Sequence, residues 1–296
     1  MNTKKDNTLQ IEGYRFLKKL GQGDMEAIWL VEEEKNGIQM LMKLMLPEAT
    51  ANEQDKKMFL HEAYYGSQLK HQNIVQFYKC GRSGDNFFRL VEFCQGGSVW
   101  ELVRKKGGKL SIDLATRIIL QVLDGLHYIH HVPVIANLYG KKVDTKGIVH
   151  RRITPKNILL SDDSSYPIAK IDDFTLCCPY EIEYSDDQDW HDNFFGSPDF
   201  MSRQIVLNFF SAKPEVDVRA AAACYYYMLT GFPPKDFSGK RDWVDAVISE
   251  SAIPIQKRNP LIPKKLAEVI DTALIDKPKI VIKSALELKT KIKEAF

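Results

Sequence analysis

Apolar and polar positions alternate through the first third of the chain and then switch to helical spacing. Residues 14–20 (YRFLKKL) read as a strand, residues 27–31 (AIWLV) as a second, and residues 39–45 (QMLMKLM) as a third interrupted by one lysine. Residues 53–69 read as a helix with Phe59, Ala63 and Leu69 turned inward. Another strand, residues 87–94, ends at Gln95-Gly96-Gly97-Ser98. Helical spacing then begins at 99–103 and runs longer over 114–130, with Leu114, Ile118, Leu123, Leu126 and Ile129 on the apolar side. Residues 131–146 read as a hairpin-like insertion, 168–171 as a short strand, and helices follow to residue 296. The pattern predicts an α+β chain read as one domain spanning 1–296, divided at the strand–glycine–helix junction near 95. A small β-rich lobe covers about 11–95 and a larger helical lobe about 96–296.

Composition changes this picture little. The 296 residues are enough for a real core, and 44% are hydrophobic. A net charge of +2 suggests neither a nucleic-acid nor an acidic-membrane partner. The opening MNTKKDNTLQ has no apolar run and is not a signal peptide. The longest apolar stretch, near 220–229, is too short for a bilayer. Cys80, Cys94, Cys177, Cys178 and Cys224 are odd in number and lack a C-x-x-C pair, so reduced thiols in the cytoplasm are expected.

Candidate chemistry begins at Gly21-Gln22-Gly23, where a β-like run follows instead of a helix. That suits a strand–turn–strand phosphate loop and equally a hairpin turn with no ligand. Lys43 in its apolar strand either holds phosphate or snorkels at an edge. Glu62 in the following helix is a partner for it or a surface residue. The most specific stretch is VHRRITPKNILL at 149–160, His150-Arg151-Arg152 followed by Asn157.

These residues resemble the protein-kinase signature set. The 150–157 stretch has the spacing of H-R-D-x-x-x-x-N, and Lys43 matches V-A-I-K. His71-Gln72-Asn73-Ile74-Val75 resembles H-P-N-I-V, and 90–98 resembles a kinase hinge with Val91 as gatekeeper. Asp173-Phe174-Thr175 resembles D-F-G, residues 196–204 the stretch ending in A-P-E, and 217–234 the F helix. The chain is identified as a member of the protein-kinase-like fold. With its insertion before His150 it is closest in style to bacterial Hanks-type Ser/Thr kinases. The resemblance implies that ATP would meet Gly21, Gly23, Ile28, Lys43, Glu62, Lys156, Asn157, Asp173 and the backbone of Glu92 and Cys94. It implies that Mg would be held by Asn157 and Asp173.

Five departures bear on activity. Arg152 stands where the catalytic base should be, and a guanidinium with a pKa above about 12 accepts no proton. Glu26 replaces the third glycine, with Asp24 beside it, and each carboxylate near a triphosphate would cost on the order of 1–4 kcal/mol. Thr175 replaces the D-F-G glycine and predicts a more fixed root for the segment after it. Ser202-Arg203-Gln204 replaces A-P-E, and Val281 aligns where the partner arginine belongs, so the fold is expected to lack that buried pair. Finally, Glu181, Glu183, Asp186, Asp187, Asp189 and Asp192 are expected to fold back on Arg151 and Arg152. The expectation is a pseudokinase, a regulatory or scaffold protein with a protein partner, binding ATP without transfer. Arg152 would point into the phosphate site in place of metal charge. The alternatives are a slow or atypical Ser/Thr kinase, another ATP-dependent transferase such as a nucleotidylating enzyme, and a nucleotide-free scaffold.

Overall fold

The computed structural model describes residues 11–23, 25–138, 140–181, 197–238 and 242–296. The chain forms two compact units, one reaching to Gln68 and including Gln76–Phe93, the other made of Leu69–Val75 and Cys94–Phe296.

In the first unit, β1 (Tyr14–Gln22), β2 (Glu26–Glu33) and β3 (Gln39–Met45) are followed by α1 (Pro47–Ala51), α2 (Glu53–Gly66), β4 (Phe77–Ser83) and β5 (Asn86–Glu92). The five strands form one sheet in the order β1-β2-β3-β5-β4. Period-two alternation separates its faces. Met40, Met42 and Leu44 of β3 pack with Val31, Phe88, Leu90 and Ile11. Met45 packs with Ala49 of α1 and Phe59 of α2. Helix α2 starts where the Asn52 carboxamide accepts from Gln54 N (2.9 Å) and Asp55 N (3.3 Å). It stops at Gly66, short of the predicted end at 69. The reason lies in Leu69–Val75, which belongs to the second unit: Val75 N donates to Ile171 O and Ile171 N to Asn73 O, each at 2.9 Å.

The second unit opens with β6 (Gly97–Ser98), α3 (Val99–Lys105) and α4 (Ile112–Ile129). The insertion is a hairpin, β7 (Pro133–Leu138) paired with β8 (Lys141–Lys146). Short strands follow: β9 (Ile148–Val149), β10 (Ile158–Leu160), β11 (Ala169–Ile171) and β12 (Cys178–Pro179). Helices α5 (Arg203–Leu207), α6 (Glu215–Thr230), α7 (Trp243–Ser249), α8 (Ile255–Arg258), α9 (Lys264–Ala273) and α10 (Ala285–Glu294) complete it. Helix α6 is buried on every side from Val216 to Thr230, so it forms the axis of this unit. It ends at Gly231 with φ 80°, where an added Cβ would lie 2.2 Å from Gly108 O. No helix among the described residues is long and apolar enough to cross a membrane.

Beside Gln204, which stands at the A-P-E glutamate position, residue 203 makes a buried pair that the sequence did not predict. The Arg203 guanidinium is buried and bonded to the Asp276 carboxylate, while Gln204 Nε2 donates to Asp276 O at 2.8 Å. Arg203 stands at the A-P-E proline position and Gln204 at the glutamate, so this buried pair differs from the family's. Asp276 also lies 3.6 Å from Arg219 Nε and 3.4 Å from Lys235 Nζ, so one carboxylate faces three cations. Burial, with the Arg219 charge beside it, pushes the Lys235 ammonium down to about 8. Backbone carbonyls at the negative end of α7 take up part of the remaining charge. Val247 O accepts from Lys235 (2.7 Å), and Glu250 O (2.8 Å) and Ser249 O (3.3 Å) accept from Arg203.

Asp276→Asn removes that carboxylate and leaves the cations buried. It is expected to cost about 3–5 kcal/mol, measured as a fall in the urea midpoint at unchanged slope. A loss under about 1 kcal/mol would mean that the α7 carbonyls suffice without Asp276.

Candidate functional site

The site in the second unit is built on Asp217, in the first turn of the buried helix α6. Its carboxylate accepts from His150 N (2.7 Å) and Arg151 N (2.8 Å), and lies 2.9 Å from His130 Nε2. These bonds hold Arg151 at φ 66°, a conformation that a non-glycine residue adopts only under constraint. His150 accepts from Arg152 N at Nδ1 (3.2 Å), so its Nε2 donates to Asp172 O (3.0 Å). Both bonds together require the neutral ring. Burial keeps the His150 pKa below its ordinary value against the pull of Asp217 and Asp173.

Three sequence-identified residues meet at Asp173, whose own backbone is at φ 69°. Its Oδ2 lies 3.0 Å from Arg152 Nη1 and accepts from Asn157 Nδ2 at 3.2 Å. Its Oδ1 accepts the Thr175 hydroxyl at 2.6 Å. Thr175 therefore caps the aspartate, and the left-handed backbone falls at Asp173, two residues earlier. Both carboxylate oxygens are engaged by the chain's own donors. Hydrogen bonds alone would leave lone pairs for a metal, but the Arg152 guanidinium 3.0 Å from Oδ2 puts a positive charge where a divalent cation would sit. Asp173 and Asn157 as arranged do not fit Mg²⁺.

Lys156 is not brought to this cluster. It is exposed, with its ammonium 5.5 Å above the Trp100 ring. Arg151 turns inward, donating to Phe210 O (3.2 Å) with its guanidinium 4.8 Å above the Phe209 ring. Glu181 accepts from Lys146 N at 3.4 Å. Glu183, Asp186, Asp187, Asp189 and Asp192, like Asp24, lie outside the described residues. Cys94, at the start of this unit, accepts from Gly97 N at 3.2 Å through its carbonyl.

The other half of the sequence-identified set lies in the first unit. Gly23 N donates to Glu26 O (2.9 Å), closing the β1–β2 turn. At Gly21 an added Cβ would meet nothing within 4 Å, so the turn has open space for a ligand's polar groups. Ile28 lies opposite Lys43 in the β2–β3 register, and Lys43 Nζ is 3.6 Å from Glu62 Oε1, both side chains buried. The pair expected from V-A-I-K and the helix glutamate is thus present. At the end of β5, Glu92 N donates to Gln76 O at 2.9 Å. The expectation that Glu26 brings its charge to a triphosphate is corrected, because its carboxylate is 2.7 Å from Arg89 Nη2. Sequence reading missed Arg89. Its signal was a cation within the apolar run of β5, between Phe88 and Leu90.

The family description "Protein kinase domain" matches residues 14–280. The serine/threonine-protein kinase ATG1a of Arabidopsis thaliana is 26% identical over 258 residues, covering 84% of this chain and 37% of that protein. The serine/threonine-protein kinase pkn2 of Myxococcus xanthus is 23% identical over 261 residues, covering 87% of this chain and 29% of that protein. The chain thus spans well under half the length of these curated relatives.

The Arg152–Asp173 pair is partly exposed, so Arg152→Ala is expected to cost only about 1 kcal/mol. The larger effect is on ion response. Millimolar Mn²⁺ should leave the thermal midpoint of the unaltered protein unmoved and raise that of Arg152→Ala, where Asp173 Oδ2 no longer faces a cation. Equal shifts in both proteins would show that Arg152 does not guard Asp173.

Proposed function

The chain belongs to the protein kinase domain family, and from that membership we propose that it is a pseudokinase, a regulatory or scaffold protein that does not transfer phosphate. One observation carries the reading: Arg152, at the position of the catalytic base, lies 3.0 Å from the carboxylate of Asp173. A single substitution thereby removes the proton acceptor and neutralises the aspartate that would hold metal. Phosphoryl transfer depends on metal charge and on positioning, and the loss of a general base alone typically lowers rates by about 10²–10⁴.

Nucleotide binding is a separate matter. We propose that ATP, where it binds, uses Lys43, Glu62, Gly21, Gly23, Ile28 and the backbone of Glu92 and Cys94. The chemistry of that set supports this, since a buried ammonium beside open turn backbone suits a polyphosphate. We propose that Arg152 brings to Asp173 the positive charge that Mg²⁺ would bring, so that nucleotide binding needs no metal. The partner is a protein, a true kinase, its substrate or a component of a complex. The site is cytoplasmic and involves neither nucleic acid nor membrane. A second reading, a slow Ser/Thr kinase or a nucleotidylating transferase, is favoured by the retained Lys43–Glu62 pair at 3.6 Å.

The test is incubation with ATP labelled at the γ- or the α-phosphate, with Mg²⁺ or Mn²⁺, using the chain itself and a general acceptor protein. Neither label should enter protein above the level of a Lys43→Met control. Lysine-dependent transfer of γ-label would replace the pseudokinase with a slow kinase, and transfer of α-label with a nucleotidylating enzyme.

A further inference from the structure

The sheet of the first unit carries a buried charge group that the kinase signature does not require. The registers place Ile28 opposite Lys43 and Lys43 opposite Arg89. Glu26, two residues before Ile28, shares their face. Arg89 is 4% exposed and sits between two carboxylates, with Nη2 2.7 Å from Glu26 Oε2 and Nη1 2.8 Å from Glu62 Oε2. Its guanidinium also lies 4.5 Å from the centre of the Phe59 ring, and Nη1 is 3.4 Å from Phe59 O. Phe59 and Glu62 both belong to α2, so Arg89 grips this helix by a carboxylate, a ring and a carbonyl. Lys43 approaches the same glutamate at 3.6 Å, beyond ordinary hydrogen-bond length.

We propose that Arg89 is the positioning residue that anchors α2 to the sheet, and that Glu26 is its matched second carboxylate. Arg89 can do this because a guanidinium presents a fork of donors and is always charged in water. A lysine offers a point charge and reaches two acids less well. The position where the family places a glycine is thus used for a strand-to-helix tie. Glu26 joins β2 to α2 through Arg89, across β3. Helix α2 then keeps its place without any ligand on Lys43. For the pseudokinase reading, on which this consequence rests, the first unit holds one shape for a partner whether or not nucleotide is present.

The test is hydrogen–deuterium exchange of the full chain without nucleotide, comparing Arg89→Met, Arg89→Lys and Lys43→Met with the unaltered protein. Arg89→Met should raise exchange of the α2 amides by about tenfold or more, and Lys43→Met by less than about twofold, while α6 is unchanged in both. Arg89→Lys should restore part of the protection, which an arginine serving only as packing would not predict. Were Arg89→Met not to fold, Lys43→Met decides alone: α2 protection close to the unaltered level supports the anchor, and deprotection of about tenfold overturns it. Deprotection by Lys43→Met equal to that by Arg89→Met also overturns it. Because no nucleotide is present, the result stands apart from any finding of phosphate transfer, which would defeat the pseudokinase reading and leave the anchor intact.

Discussion

The carboxylate of Asp217 is the fixed point of the second unit. It sits at the head of a helix buried on every side and takes two consecutive backbone N–H groups, those of His150 and Arg151. A buried acid with three polar contacts resists movement, because each broken contact leaves a desolvated group. The constraint reaches outward in steps. It holds Arg151 in a left-handed conformation, and the next residue, Arg152, meets Asp173. His150 ties the same turn to Asp172 through its neutral ring. The loop is therefore held in one geometry, with Arg152 against Asp173.

Three departures from the signature share one physical logic: a changed charge finds an opposite charge. Arg152 finds Asp173, Glu26 finds Arg89, and Arg203 finds Asp276. Their energetic weights differ. The Arg203 and Arg89 guanidiniums are buried, and removing one member of either pair would strand a charge away from water. Arg152 and Asp173 are partly exposed, and that pair adds little stability. Its importance is chemical, since it engages the carboxylate that a metal would need.

Local motifs made much of this legible beforehand. The strand–turn–strand start, Lys43 with Glu62, the stretch from His150 to Asn157 and the buried helix at Asp217 each lie in short contiguous patterns whose meaning does not depend on distant residues. What stayed hidden depends on strand register and on chain segments far apart in sequence. Arg89 meets Glu26 only because β2, β3 and β5 lie side by side in the sheet. Asp276 stayed hidden because it does not align with the family's arginine, and its partner Arg203 is not at the glutamate position. The early end of α2 likewise reflects a distant partner, the backbone of Ile171, which draws the following segment into the other unit.

On the proposed reading, Arg152 takes the place of metal charge at Asp173. Calorimetric titration of the unaltered chain with ATP, once in Mg²⁺ and once in EDTA, tests it most directly. Binding in EDTA should be at least as tight as in Mg²⁺. Binding that appears only when Mg²⁺ is present would contradict it.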